Sequence, residues 1–457
     1  MAIKIFNTLS LKKELFRPIK KGKVGLYTCG PTVYGFAHIG NLRTFIFEDI
    51  LRRTLEYGGY KIKHVMNITD IGHLVSDSDE GEDKMTKALR REGKPLTLES
   101  MKELADYYAE KFKEDIDTLN IEKPNIMPKA SEHIKEDLEI IKKLEKKGFT
   151  YKTNDGIYFD ISKFKDYGKL GRLKTKENKS RIENNPEKKN QRDFALWKLN
   201  SNLGWESPWG KGFPGWHIEC SAMSSKYLGQ PFDIHTGGID HIPVHHQNEI
   251  AQSEAAYNKP LAKYWIHGEF LIIDSKKMAK SEGNFLTLKT IKEKNFDPLA
   301  YRFLVLGTHY RKPLNFSWEA LMAAENGLRK LYNQIPTHNV TQGKIDKKFR
   351  EKFLKAINND LNTPKALAII QEILKSRLIT NRSKLATLFD FDEVLGLNLK
   401  DALKKQKIPQ EIINLAKSRE KSRKEKKWQE ADKLREKIKN LGYEIEDTPK
   451  GYILKKN

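Results

Sequence analysis

Apolar positions change their period several times along this chain, and the changes outline its elements. Val24-Gly25-Leu26-Tyr27-Thr28-Cys29 is a short, mostly apolar run closed by Gly30-Pro31, which reads as a buried strand and its stop. Leu42, Phe45, Ile46, Ile50, Leu51 and Leu55 then recur at helical spacing until Gly58-Gly59. Ile62 to Ile68 reads as a second strand. Strand, helix, strand is a βαβ unit, which predicts a parallel sheet with a binding crevice at its strand C-termini. Cys29, His38 and Thr69 all fall at that rim.

Helical patterns fill roughly residues 83–148, whereas 163–192 are polar, lysine-rich and poor in apolar runs, as in an insertion or a mobile loop. The chain turns apolar and aromatic again at Phe194-Ala195-Leu196-Trp197, and Ala262 to Ile273 reads as a further buried strand region. Residues 316–400 carry the pattern of a helical bundle, 410–442 that of a basic helical segment, and Tyr443 to Leu454 that of short strands. No fixed-period repeat is present. The 457 residues suffice for two to four domains.

Composition narrows the class. Apolar residues make up 38% and charged residues 32%, and no apolar run approaches the length of a membrane span. The N-terminus has no secretory pattern, so a cytoplasmic protein with no membrane partner is expected. Two cysteines in such a chain argue against a disulfide and leave two buried structural thiols as the plain reading. The net charge of +23, from 84 basic and 61 acidic residues, predicts a polyanionic partner. Residues 417–440 hold 11 basic and 5 acidic side chains around Trp428, a charged groove with an aromatic platform that suits nucleic acid.

No Gly-x-x-x-x-Gly-Lys-Ser/Thr loop is present and no Gly-x-Gly-x-x-Gly turn follows the first strand, so a nucleotide must be held by another device. His38-Ile39-Gly40-Asn41 offers one. A helix N-terminus presents free N–H groups and positive charge to phosphate, and a histidine beside it can donate to an α-phosphate in reaction. Alone, His38 is as readily a helix cap. Lys277-Met278-Ala279-Lys280-Ser281 is by itself as readily a solvated loop. Together the two segments resemble the "HIGH" and "KMSKS" signatures of class I aminoacyl-tRNA synthetases. Asn41 replaces the last histidine of the first, and Ala279 the middle serine of the second, leaving both lysines.

Longer blocks narrow the resemblance to the cysteinyl-tRNA synthetase family: Tyr27 to Tyr34, Asn67-Ile68-Thr69-Asp70, Trp216 to Met223, Phe232 to His235, Gly237-Gly238-Ile239-Asp240 and His245-His246-Gln247-Asn248-Glu249. The resemblance runs nearly end to end. It implies an α/β fold: a Rossmann-type parallel-sheet catalytic domain in two halves (1–130 and 201–270), an inserted connective region (131–200), a lysine-loop and stem-contact region (271–315), a helical bundle (316–404) and a small mixed anticodon-binding domain (405–457). It implies one Zn2+ held by Cys29, Cys220, His245 and Glu249. The physical case stands beside it: zinc accepts sulfur, nitrogen and carboxylate ligands, and residues four apart share a helix face. It further implies a cysteine pocket of Thr69, Trp216 and His235. ATP with Mg2+ would lie on Gly40, Gly237, Gly238, Asp240, Lys277, Lys280 and Ser281, with His38, Asn41 and the two lysines catalytic. Arg423, Trp428, Asp432, Arg435 and Asp447 would read the anticodon.

The activity implied is ATP-dependent activation of L-cysteine and its transfer to tRNA(Cys) by a monomer. Zinc would select the thiolate, since shape separates cysteine from serine by only about 10- to 200-fold. Two rivals use the same core: a ligase that joins activated cysteine to a small amine, and a non-catalytic tRNA-binding paralogue. The basic tail argues against the first; retention of His38, Lys277 and Lys280 argues against the second.

Overall fold

The computed structural model describes residues 2–71, 84–172, 186–200, 202–273, 276–277, 285–336, 343–401, 410–448 and 451–456. An antiparallel hairpin opens the chain, β1 (Lys4–Asn7) with β2 (Lys12–Leu15). The expected βαβ unit follows as β3 (Lys23–Thr28), α1 (Ile39–Tyr57) and β4 (Lys61–Met66). Helices α2 (Lys84–Arg91) and α3 (Leu98–Thr118) come next, and a non-helical stretch separates them from α4 (Ile134–Lys146). The helical reading of 83–148 is thus interrupted after Thr118.

Strands β5 (Thr150–Lys152), β6 (Gly156–Phe159), β7 (Phe194–Leu199) and β8 (Gly212–Pro214) make an antiparallel sheet in that order. It extends to Pro214, past the expected end of the inserted region. Its short strands, one with a bulge at Ile157/Tyr158, are too brief to announce themselves by alternation. Of the polar segment 163–192, residues 173–185 lie outside the described residues.

The chain then returns to the first sheet through α5 (Trp216–Leu228), β9 (Phe232–Gly238), α6 (His245–Tyr257) and β10 (Ala262–Gly268). The resulting sheet is parallel throughout, in the order β10-β9-β3-β4. Chain direction across it reverses between β3 and β9, so the crevice opens beyond the C-termini of those two strands. Both faces are covered: Leu26, Tyr27, Val65 and Ile234 have no exposed surface, and the polar strand residues Thr28, His64, His235 and Thr236 are buried with them.

Strands β11 (Leu271–Ile273) and β12 (Lys276–Lys277) pair antiparallel, and after α7 (Leu288–Glu293) and α8 (Pro298–Leu306) strand β13 (Leu314–Phe316) joins β11 in parallel. The bundle comprises α9 (Trp318–Gln334), α10 (Lys347–Ile357), α11 (Thr363–Lys375) and α12 (Asn381–Leu395). It packs on α1 through α12, and its apolar residues join those of the βαβ unit in one core. The C-terminal unit is α13 (Gln410–Lys424), α14 (Trp428–Asn440) and the hairpin β14 (Tyr443–Thr448) with β15 (Gly451–Lys456) around Ile412, Ala416, Ile438 and Ile445. Among the described residues no helix is long and apolar enough to cross a membrane.

Candidate active site and metal centre

The crevice holds a cavity of about 290 Å³ whose wall includes Cys29, His38, Asn41, Thr69, Trp216, Cys220, Asp240 and His245. Each reaches it from a strand end or helix start. Cys29 directly follows β3, and its N–H donates to Thr236 O of β9 at 3.2 Å. Gly30 turns the chain away, and no side chain fits there: a Cβ would lie 1.7 Å from Asn67 O. The Asn67 side chain ties the two rims together, accepting from Gly30 N–H at 2.9 Å and donating to Thr69 Oγ1 at 3.0 Å. Neither contact is visible in the apolar pattern.

His38 is the N-cap of α1, as its plain reading held, and its Nδ1 accepts from Asn41 N–H at 3.1 Å. That bond has a chemical consequence. With Nδ1 an acceptor, the neutral ring carries its proton on Nε2, so capping and donation into the cavity are one arrangement. Phe285 packs edge-on against the ring at 5.5 Å. The backbone of Lys277 lies in β12; Lys280 and Ser281 lie outside the described residues.

Below the cavity four donors meet. One sulfur, nitrogen or oxygen each of Cys29, Cys220, His245 and Glu249 lies within 4.8 Å of the other three, and all four residues are buried. Cys220 comes from α5, and His245 and Glu249 from consecutive turns of α6. Tetrahedral zinc bonds of 2.0–2.3 Å set donors about 3.3–3.8 Å apart, so the cluster fits this ion with small side-chain movement. Its electrostatics agree. Burial raises the Cys29 thiol well above its ordinary pKa, with Cys220 adding to the effect. Hydrogen bonding with Cys29, with His245 beside it, pulls the Cys220 thiol down to about 6 against the effect of burial. Burial works against it, but the charges of His235 and His245 hold the Glu249 carboxyl well below its usual range. Glu249 in turn lifts His245 to about 10 despite burial. The negative charge of Glu249 and Cys220 that keeps a proton on His245 would equally favour a metal cation, which would take that proton's place.

A second set, Cys29, His235, His246 and Glu249, is equally compact. The cavity separates the two. Three donors of the first set line it, whereas His235, His246 and Glu249 do not. His235 therefore stands behind the wall rather than on it, with Nε2 on Glu249 Oε2 at 2.5 Å. His246 and His267 continue the histidine layer inward: His246 Nε2 lies 3.3 Å from Cys29 Sγ, His246 Nδ1 2.8 Å from His267 Nε2, and His267 Nδ1 2.8 Å from Thr8 Oγ1. Sequence reasoning missed His246, His267 and Thr8; only the adjacency of His246 to His245 hinted at them. Trp216 covers His245 at 4.5 Å. Gly237 leaves room for two rings, since a Cβ there would lie 2.4 Å from His241 Nδ1 and 2.9 Å from His246 Cε1.

Comparison with known proteins bears on this arrangement. Residues 15–326 match the model of the class I (C) tRNA synthetase catalytic domain. A Burkholderia lata protein named cysteine–tRNA ligase 1 is 47% identical, the match covering 99% of this chain and 97% of that one. A Treponema denticola cysteine–tRNA ligase is 45% identical, covering 98% of each. The chain belongs to the cysteine–tRNA ligase family. In fold it is similar to Mycobacterium tuberculosis methionyl-tRNA synthetase bound by methionyl-adenylate, with TM-score 0.56, 14% identity, and 83% of this chain and 92% of that chain covered.

Within this cysteine–tRNA ligase family member, the C-terminal residues also converge. Asp447 accepts from Arg419 at 2.8 and 2.9 Å and forms an ion pair with Arg423 at 2.8 Å. The Arg423 guanidinium lies 5.7 Å from the Trp428 ring centre, and 56% of Trp428 is exposed. Hydrogen bonds from Arg419, joined by the charges of Arg423 and Arg435, hold the Asp447 carboxyl below its usual range. Asp432 and Arg435 are exposed on α14. Arg419, almost wholly buried, was missed because a basic helix gives no sign of which arginine turns inward.

Proposed function

We propose that this chain activates L-cysteine with ATP and transfers it to tRNA(Cys). The observation that carries the reading is the shared cavity: two soft sulfur donors and the α1 N-terminus face one space. Bound zinc would be held by Cys29, Cys220, His245 and Glu249 and would supply a Lewis acid with affinity for thiolates over hydroxyls.

In the first step a carboxylate oxygen of cysteine attacks the α-phosphorus of ATP, the bond to the β-phosphate oxygen breaks, and pyrophosphate leaves with Mg2+. His38 Nε2–H and the positive end of the α1 dipole stabilise the charge on the α-phosphate; one such donor is worth about 3 kcal/mol. Lys277 and Lys280 hold the departing phosphates. Gly40, Gly237, Gly238, Asp240 and Ser281 shape the nucleotide site, and Asn41, on the cavity wall beside His38, acts with it in catalysis. Thr69 and Trp216 bound the amino-acid pocket, and His235 orients Glu249. In the second step a hydroxyl of the terminal adenosine attacks the carbonyl carbon and AMP leaves. No protein nucleophile is needed; catalysis is positioning and electrostatics. The deciding experiment is ATP–pyrophosphate exchange with cysteine and serine side by side, with metal analysis. Exchange driven equally by both amino acids, or by neither, overturns the reading.

Arg423, Trp428, Asp432, Arg435 and Asp447 would hold the anticodon, with Trp428 as a stacking surface pre-set by the Asp447–Arg423 pair. Trp428→Ala is expected to raise the KM for tRNA about 5- to 100-fold, the worth of one stacked base, and to leave exchange unchanged. The ring is exposed, so the fold does not depend on it. An unchanged tRNA KM ends that assignment.

A further inference from the structure

Arg43 lies on α1, five residues past His38, and is only 3% exposed. Its guanidinium serves main-chain carbonyls: Nη1 donates to Glu269 O at 2.8 Å and to Phe270 O, and Nη2 to Lys312 O. These carbonyls are not scattered. Glu269 and Phe270 connect β10 to β11, and Lys312 stands just ahead of β13. β11 is the central strand of its small sheet, with Ile272 paired to Lys277 of β12 and Asn315 of β13. One side chain therefore ties the residues leading into β11, against which the Lys277 backbone is registered, to those leading into β13.

The same helix holds the chain again beyond the lysine motif. Ile39 N–H donates to Leu286 O at 2.9 Å, His38 and Thr287 form an antiparallel bridge, and Tyr301 Oη donates to Ile39 O at 2.5 Å. The start of α1 is thus a shared reference for the nucleotide-facing N-terminus and the strands leading to Lys277.

We propose that Arg43 is a positioning residue for the adenylate-forming step: it sets β11 and β12, and so Lys277, at the distance from the α1 N-terminus that a bound triphosphate spans. The inference rests on the ligase reading above. Arginine suits the task because its planar fork sends donors from two separate nitrogens to acceptors on two segments, whereas an ammonium offers its three donors from a single point.

The two half-reactions separate this role from ordinary packing. Pyrophosphate has left before the second step, so misplacing Lys277 slows only the first. Arg43→Gln is expected to lower the kcat of cysteine-dependent exchange about 10- to 100-fold, the cost of a displacement of about 1 Å, with the KM for cysteine within about twofold. Single-turnover transfer from preformed cysteinyl-adenylate to tRNA should stay within about twofold of wild type on the same scale. Arg43→Lys should fall between; if the Gln variant does not fold, the ratio of the two half-reactions in the Lys variant decides. Equal slowing of both steps, or no slowing of exchange, overturns the inference while an active wild type leaves the ligase reading standing. A wild type inactive in cysteine-dependent exchange overturns both.

Discussion

Cys220→Ser is expected to strip the protein of its metal and of its preference for cysteine. Structural zinc sites bind with about 10–16 kcal/mol, so one ligand of four is worth about 3–4 kcal/mol, or on the order of 10²- to 10³-fold in affinity. Cys220 has further weight here, because it is the thiol whose pKa the site lowers, to about 6, through hydrogen bonding to Cys29 and proximity to His245. A serine hydroxyl stays protonated in the same place. Metal analysis should fall from one zinc per chain to a trace, and cysteine-dependent exchange by about the loss in affinity. What discrimination remains over serine should be the 10- to 200-fold, roughly, that pocket shape alone can supply. A variant that keeps one zinc and full discrimination would remove Cys220 from the donor set. Glu249→Gln is the companion, since it keeps the shape of the side chain and removes the charge that lifts His245.

Arg302→Met should cost about 3–5 kcal/mol of stability, the usual loss when one partner of a buried ion pair is removed. Arg302 has no exposed surface and joins four segments. Its Nε donates to Leu395 O at 2.8 Å, its Nη1 to Leu119 O at 3.0 Å and Asn120 O at 3.2 Å, and its Nη2 to Asp49. Gly396 makes space for it: the backbone there has φ +62°, and a Cβ would lie 2.6 Å from Arg302 Nη2. Asp49 sits in the middle of α1, so the substitution loosens the catalytic helix from the bundle. The sign of the pH dependence follows. Burial alone would raise the Asp49 pKa, but Arg302 and Arg53 hold it below the ordinary carboxylate range. Its pairing therefore contributes fully above the unfolded value of about 3.9 and is lost as pH falls through the lower folded value. Denaturant unfolding at neutral pH should show the full loss, and the gap between variant and wild type should narrow in acid. Equal stability at neutral pH would mean that the four segments are held by apolar packing alone.

Local patterns were enough for much of this molecule. Short apolar runs bounded by turn residues located β3 and β4, and 3.6-residue periods located α1, the bundle helices and the C-terminal helices, because each such element buries residues that lie close together in the sequence. The motif residues were legible for a similar reason: His38 to Asn41 and Lys277 to Ser281 are contiguous, and His245 and Glu249 share a face on one helix. The insertion sheet β5–β8 was not legible, since β5, β6 and β8 have only three or four residues and leave β7, whose apolar run was visible, without readable partners.

Long-range contacts were beyond that reach. Cys29 and Cys220 become neighbours only because β9 and β3 pair in parallel and place the two helices of the second half against the end of the first strand. His235 was expected on the pocket wall, yet the register that pairs it with Trp265 on one side and Tyr27 on the other sets it one layer behind, against Glu249. Arg43, Arg302 and Arg419 look alike in the sequence to the lysines and arginines that cover the surface. Which charges turn inward depends on the carbonyls and carboxylates that distant segments present to them, and burial of an ion is tolerable only where those partners converge. The chain alone therefore determined which local elements form and which chemistry it carries; the packing of remote segments decided which donors meet, which face the cavity, and which charges hold the halves together.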